Sequence, residues 1–159
     1  MSPRINYAQQ SPDLFKKLLE LSTMAKGTAI GLELTDLVTI RASLMNGCTF
    51  CLDMHVKEAK IHGERELRLY HIPVWRESLL FSPRERAALE WTEAVTELSG
   101  LGVSDDVYDR VRKEFSEKEL SDLTFSILII NAWNRLAVSF RPEPGSVDSI
   151  YGLEKAGLN

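Results

Sequence analysis

Two thiols and an imidazole fall within one decapeptide, Asn46-Gly47-Cys48-Thr49-Phe50-Cys51-Leu52-Asp53-Met54-His55. Cys48 and Cys51 are the only cysteines of the 159-residue chain, and His55 follows four residues after the second. On a helix, offsets of three and four residues place side chains on one face, one above the other. Asn46-Gly47 is a turn dipeptide, so Cys48 falls at or near the first turn of a new helix with Cys51 still within reach of it. Unpaired N–H groups and the positive end of the helix dipole favour a thiolate there, and a neighbouring histidine can take or share the proton. Such a thiolate can attack a peroxide oxygen to give a sulfenic acid, which the second thiol converts to a disulfide. Three residues along a helix supply roughly the 5.5 Å between Cα atoms that a disulfide needs.

The residues themselves leave other chemistries open. Helix electrostatics favour Cys48 as the more acidic thiol, whereas adjacency to His55 favours Cys51. Cys48, Cys51 and His55 could ligate zinc with Asp36 as a fourth ligand, although the usual second ligand pair is missing. A thioredoxin-type oxidoreductase uses the same spacing but needs a strand before its helix, and the residues preceding Cys48 read as helix. Two buried cysteines beside a surface histidine would be purely structural. Elsewhere, His62 and His71 read as solvated surface histidines. Arg41 and Arg76 read as salt-bridge partners, and Trp75 and Trp133 as core or interface residues. Asn131 and Asn134, on an apolar helix, must find partners if buried; a subunit interface or a pocket would supply them.

The elements that must position this site all read as helix. Ser11-Pro12-Asp13 opens the first, which Gly27 ends. A second spans about Glu33 to Met45, and a third runs from the cysteine motif to about His62, where Gly63 stops it. A shorter helix from Glu64 to Tyr70 ends before Pro73. Ser82-Pro83-Arg84-Glu85 and Ser116-Glu117-Lys118-Glu119 are capping boxes. They launch helices to about Leu98 and Ser139, and a helix capped at Ser104 lies between them. No alternating strand pattern competes, so the expected fold is all-α. The expected layout is one domain over residues 1–159, with a core at about 5–141 and a C-terminal tail at 142–159. The last long helix is apolar nearly all round from Leu123 to Ala137 and must be covered, by this domain or by another copy.

Composition narrows the function. With 44% hydrophobic and 26% charged residues the chain reads as an ordinary globular domain. A net charge of -4 argues against a duplex nucleic-acid partner. No basic amphipathic arm suggests a membrane surface. Leu123 to Phe140 is interrupted by Asn131, Asn134 and Arg135, which makes it a poor membrane span. Met1-Ser2-Pro3-Arg4-Ile5-Asn6 has no apolar core of signal-peptide length, so the expected location is cytoplasmic. In that compartment a vicinal thiol pair is expected to cycle rather than to staple the fold.

The stretch from Glu33 to Met54, together with His55, resembles the core of the alkyl hydroperoxide reductase D-like family, also called the carboxymuconolactone decarboxylase superfamily. Leu69-Tyr70, Trp75-Arg76-Glu77, the run Glu85 to Ala94 and Asn131-Ala132-Trp133-Asn134-Arg135 resemble one branch of it, so the likeness extends from about Ile5 to Arg141. The resemblance implies an AhpD-like helical bundle assembled into trimers or hexamers. It also implies a peroxidase that needs no cofactor and draws its electrons from a small thiol or a dithiol protein. By position, Cys51 would attack the hydroperoxide, Cys48 would resolve it, and His55 would relay protons. The family usually has a glutamate twelve residues before the first cysteine; Asp36, one methylene shorter, stands there. Between the cysteines, where the family often has histidine or tyrosine, stands Phe50, which carries no proton. Lactone decarboxylases of the superfamily generally lack the cysteine pair. A redox-sensing oligomer whose disulfide acts as a switch is the non-enzymatic alternative.

Overall fold

A single helix hairpin holds the cysteine motif, and the rest of the chain wraps it. In the computed structural model its arms are α3 (Gly31–Met45) and α4 (Thr49–Ile61). Residues 2–98 and 100–158 are described; Met1, Ser99 and Asn159, which the expected domain includes, lie outside the described residues. Before the hairpin come α1 (Tyr7–Gln10) and α2 (Pro12–Lys26). After it come α5 (Glu66–His71), α6 (Pro83–Thr96), α7 (Asp105–Arg112), α8 (Glu117–Phe140) and α9 (Asp148–Tyr151), with 3-10 turns at Ile72–Val74 and Leu153–Ala156. Among the described residues there is no strand, as the hydrophobic periodicity predicts.

The most enclosed element is α3, where every residue from Leu34 to Ile40 is buried. Its two sides feed two cores. Leu34 and Val38 join Ala88, Trp91, Val111, Phe115, Leu123 and Ile127 of α6, α7 and α8 and the segment between the last two. Leu37 and Ile40 join Ala59, Leu69, Ile72, Trp75 and Leu89. α8 runs for 24 residues and is long and apolar enough to cross a bilayer by length and composition. Here it is a core helix, packed against α2, α3 and α6. It does not need a second copy to cover its inner face, but Phe125, Leu128 and Val138 stay exposed on the outer one.

Both capping boxes form reciprocally. Ser82 and Glu85 open α6, and Ser116 and Glu119 open α8, each side chain bonding the other's backbone N–H. The polar residues of α8 find their partners inside the chain. Asn134, fully buried, donates to Ser43 Oγ at 3.1 Å, and its carbonyl accepts from Asn46 Nδ2 at 2.9 Å. Asn131 accepts from the same Asn46 amide at 3.0 Å and donates to Thr96 Oγ1 at 3.0 Å. No pocket or subunit interface is required to satisfy them.

Segments near both ends of the described residues are held to the bundle. Arg4 donates its backbone N–H to the Phe140 carbonyl and its guanidinium to the Ser139 carbonyl, both at 2.9 Å. After α8 the chain turns at Arg141, in the left-handed region at φ 55°. The segment expected as a tail then folds back on α4. Lys57 of α4, itself buried, bridges Asp148 at 2.6 Å and Asp53 at 2.9 Å, and Leu153 is buried.

Candidate active site at the start of the fourth helix

The turn between the hairpin arms fixes the first sulfur. Asn46 ends α3, and its side-chain amide is gripped by Asn131 and Asn134. Gly47 follows at φ 64°, a conformation that costs any residue with a Cβ. Cys48 is then extended and serves as the N-cap of α4, its sulfur accepting from the Cys51 N–H at 3.2 Å. The sequence predicted Cys48 at or near the first turn, and the capping position is where a sulfur meets the orphan N–H groups most directly. Cys48 and Cys51 are joined as a disulfide with their Cα atoms 5.4 Å apart.

The disulfide lies in an apolar nest. Both cysteines are buried, packed with Ala42, Ile130 and Ala137, and with Phe50 and Trp133 at the edge. The indole N–H of Trp133 donates to Ser22 Oγ of α2 at 2.8 Å, and Phe15 meets the same ring edge-on at 5.5 Å between centroids. Trp133 therefore fixes α2 over this end of the hairpin.

Beyond the sulfurs, α3 and α4 hold a charged cluster. His55, one helical turn after Cys51, shares a 2.8 Å hydrogen bond between its Nδ1 and Glu58 Oε2. Lys26, from the last turn of α2, reaches the other oxygen of Glu58 at 2.5 Å. Burial alone would raise the Glu58 pKa. The hydrogen bond and charge of His55, with the charge of Lys26, outweigh it and hold the carboxyl at about 2. Asp36 is buried on α3, and its Oδ2 lies 2.7 Å from His62 Nδ1. Desolvation pushes its carboxyl above the ordinary range, opposed chiefly by the bond to His62, while the charges of Glu58 and His55 also reach it.

Of the four residues singled out from the sequence, Cys48 and Cys51 lie at the turn of the α3–α4 hairpin, His55 lies midway along α4, and Asp36 lies in the first half of α3, facing the far end of α4. Asp36 hydrogen-bonds His62 rather than His55, and His55 is held by Glu58. His62 is solvent-exposed, as expected, yet its ring is committed to a buried carboxylate. Sequence reasoning missed Glu58 and Lys26. The His55-x-x-Glu58 spacing was a readable signal, since residues three apart on a helix are neighbours. Lys26 comes from another helix and left no local trace. Arg41 and Arg76 both bind Glu93, at 2.7 and 2.5 Å, and are ordinary salt-bridge partners. Among the described residues no group of three or more His, Cys, Asp or Glu is arranged to hold a metal ion.

The sequence profile of the carboxymuconolactone decarboxylase family matches residues 12–94. YdfG of Bacillus subtilis strain 168 is 38% identical over 139 residues, which cover 87% of this chain and 95% of YdfG. Among solved structures, ATU0492 of Agrobacterium tumefaciens, a protein of unknown function provisionally named an antioxidant defence protein AhpD, is 40% identical. It superposes with a TM-score of 0.87, covering 90% of this chain and 98% of its own. The AhpD-core, peroxidase-related protein of Ralstonia eutropha JMP134 superposes at 0.77 with 18% identity, covering 87% of this chain and 74% of its own, which bears on the fold alone.

Proposed function

Because the chain belongs to the carboxymuconolactone decarboxylase family and has the AhpD-like all-α fold, we propose that it is a thiol-dependent peroxidase. The observation that carries this reading is the Cys48–Cys51 disulfide across the first turn of α4, with an imidazole one turn further on. In the reduced protein the Cys51 thiolate attacks one oxygen of a hydroperoxide. An S–O bond forms, the O–O bond breaks, and two electrons pass from sulfur to oxygen. The leaving alkoxide takes up a proton through His55, yielding an alcohol. Cys48 then attacks the sulfenic sulfur, releasing water and forming the disulfide. An external small thiol or a dithiol protein returns the two electrons. Asp36, whose burial makes it hold a proton more readily, stands behind the relay.

Adjacency to His55 and the family pattern favour Cys51 as the attacking thiol, against the N–H that the capping position gives the Cys48 sulfur; the reading assigns the attack to Cys51 and the resolving role to Cys48. The partners of this reading are a hydroperoxide, a thiol reductant and further copies of the chain in a trimer or hexamer, in the cytoplasm. The cysteine pair counts against a lactone decarboxylase.

The test is stoichiometric peroxide consumption by the pre-reduced, metal-free protein, with Cys48→Ser and Cys51→Ser beside it and a dimedone-type trap for sulfenic acid. One peroxide consumed per chain, with sulfenate trapped at position 51 in Cys48→Ser, is the expected result. Sulfenate only at position 48 in Cys51→Ser would exchange the two roles. Consumption no faster than a free-thiol control would sink the peroxidase reading and leave a disulfide switch.

A further inference from the structure

Resting on the peroxidase reading, we propose that Glu58, anchored by Lys26, is the positioning residue that orients His55 and stabilises its charged form. The geometry is specific. Glu58 spends one oxygen on His55 Nδ1 at 2.8 Å and the other on Lys26 Nζ at 2.5 Å, so its carboxylate is pinned between α4 and α2. The side chains of His55 and Glu58 are each only 13% exposed, which keeps water from competing for the bond. The Nδ1 of His55 is taken by Glu58, while Asp36 turns its Oδ2 to His62 at 2.7 Å.

The pairing settles which ring nitrogen is used. Glu58 is ionised throughout the neutral range, since its carboxyl is held at about 2 against the pull of burial by His55 and Lys26. An ionised carboxylate only accepts hydrogen bonds, so Nδ1 must carry the proton between them. Nε2 is then the nitrogen left to take the proton from the Cys51 thiol. The imidazolium so formed is stabilised by the adjacent carboxylate, and the same proton is available for the departing alkoxide. The titratable groups around His55 are Glu58 on its own helix, Lys26 from α2, which holds Glu58, and Asp36 from α3, itself bonded to His62.

The test separates this role from peroxidase activity by reading the thiol directly. In the reduced Cys48→Ser protein, the rate of Cys51 alkylation by iodoacetamide is followed from pH 5 to 10, with and without Glu58→Gln. The expected result is a midpoint raised by about one unit toward the free-cysteine value near 8.5, with alkylation at neutral pH slowed about tenfold. In a His55→Gln background Glu58→Gln should change nothing further, because it acts through the ring. If Glu58→Gln does not fold, Glu58→Asp, too short to span both partners, should give an intermediate midpoint. An unshifted profile in whichever variant folds overturns the assignment, even if peroxide turnover is real. A shifted profile in a protein that turns over no peroxide would support Glu58 as the residue governing His55 while removing the peroxidase reading.

Discussion

At Glu58 burial and pairing pull in opposite directions, and the outcome makes part of the acid stability of the protein predictable. Its carboxyl is held at about 2 in the folded chain against an ordinary value of 4.5. The unfolded chain therefore binds a proton between those values where the folded one does not. The stabilisation is fully present above about pH 4.5 and is lost as the pH falls through the folded value near 2. Glu58→Gln should lower stability by on the order of 2 kcal/mol at pH 6, with the gap closing toward pH 2. Urea denaturation of both proteins across that range checks it; a gap independent of pH would mean that the carboxylate's charge does not stabilise the fold. This is also the scale at which the site was only partly legible. Cys48, Cys51, His55 and Asp36 stood out by type and spacing; the cysteines lie at the turn of the hairpin with His55 one helical turn on, whereas Asp36 faces the far end of α4. Lys26 could not be seen, because it is brought to Glu58 only by the way α2 packs, and the commitment of Asp36 to His62 depends on how α3 and α4 align.

Local chemistry explains why the elements themselves were readable. Ser82 and Ser116 stand three residues before Glu85 and Glu119, and both pairs form the reciprocal caps that this spacing predicts. Gly47 and Gly63 stand at positive φ just past α3 and α4, as helix-ending glycines do. What the sequence did not disclose is how one element disciplines another. Asn46, in the turn before Cys48, donates to two asparagines of α8 more than eighty residues away, and Asn134 hands the chain of bonds on to Ser43 of α3. A buried amide that loses its partner pays its full desolvation cost. Asn134→Ala should therefore destabilise the protein by about 2–3 kcal/mol, combining a small cavity with unpaired groups on Ser43 and Asn46. It should also loosen the turn that presents Cys48, so the disulfide should be reduced faster by dithiothreitol. An unchanged denaturation midpoint would show that water replaces these bonds at little cost.

For the whole molecule, the question raised by the long apolar helix has a divided answer. The face of α8 bearing Leu123, Ile127, Ile130, Asn134 and Ala137 is buried within the chain, against α3, α6 and the disulfide nest. The outer face is not: Phe125 and Leu128, three residues apart, are each 52% exposed, and α2 shows Leu14 and Met24 at 74% and 72%. Fully burying one such side chain is worth about 1.5–3 kcal/mol, so this surface favours the proposed assembly of copies. Because Phe125 and Leu128 contribute little to the chain's own core, Phe125→Glu with Leu128→Glu should leave the helical content and the thermal midpoint of the protomer nearly intact. Sedimentation velocity should show the parent as a trimer or hexamer and the double variant as a smaller species. A parent that sediments as a monomer would defeat the assembly proposal outright. A double variant that stays assembled would move the interface to the exposed residues of α2. In either case the disulfide nest, on the opposite face of α8, should keep its thiol chemistry, since Ile130, Trp133 and Ala137 hold it from within the same chain.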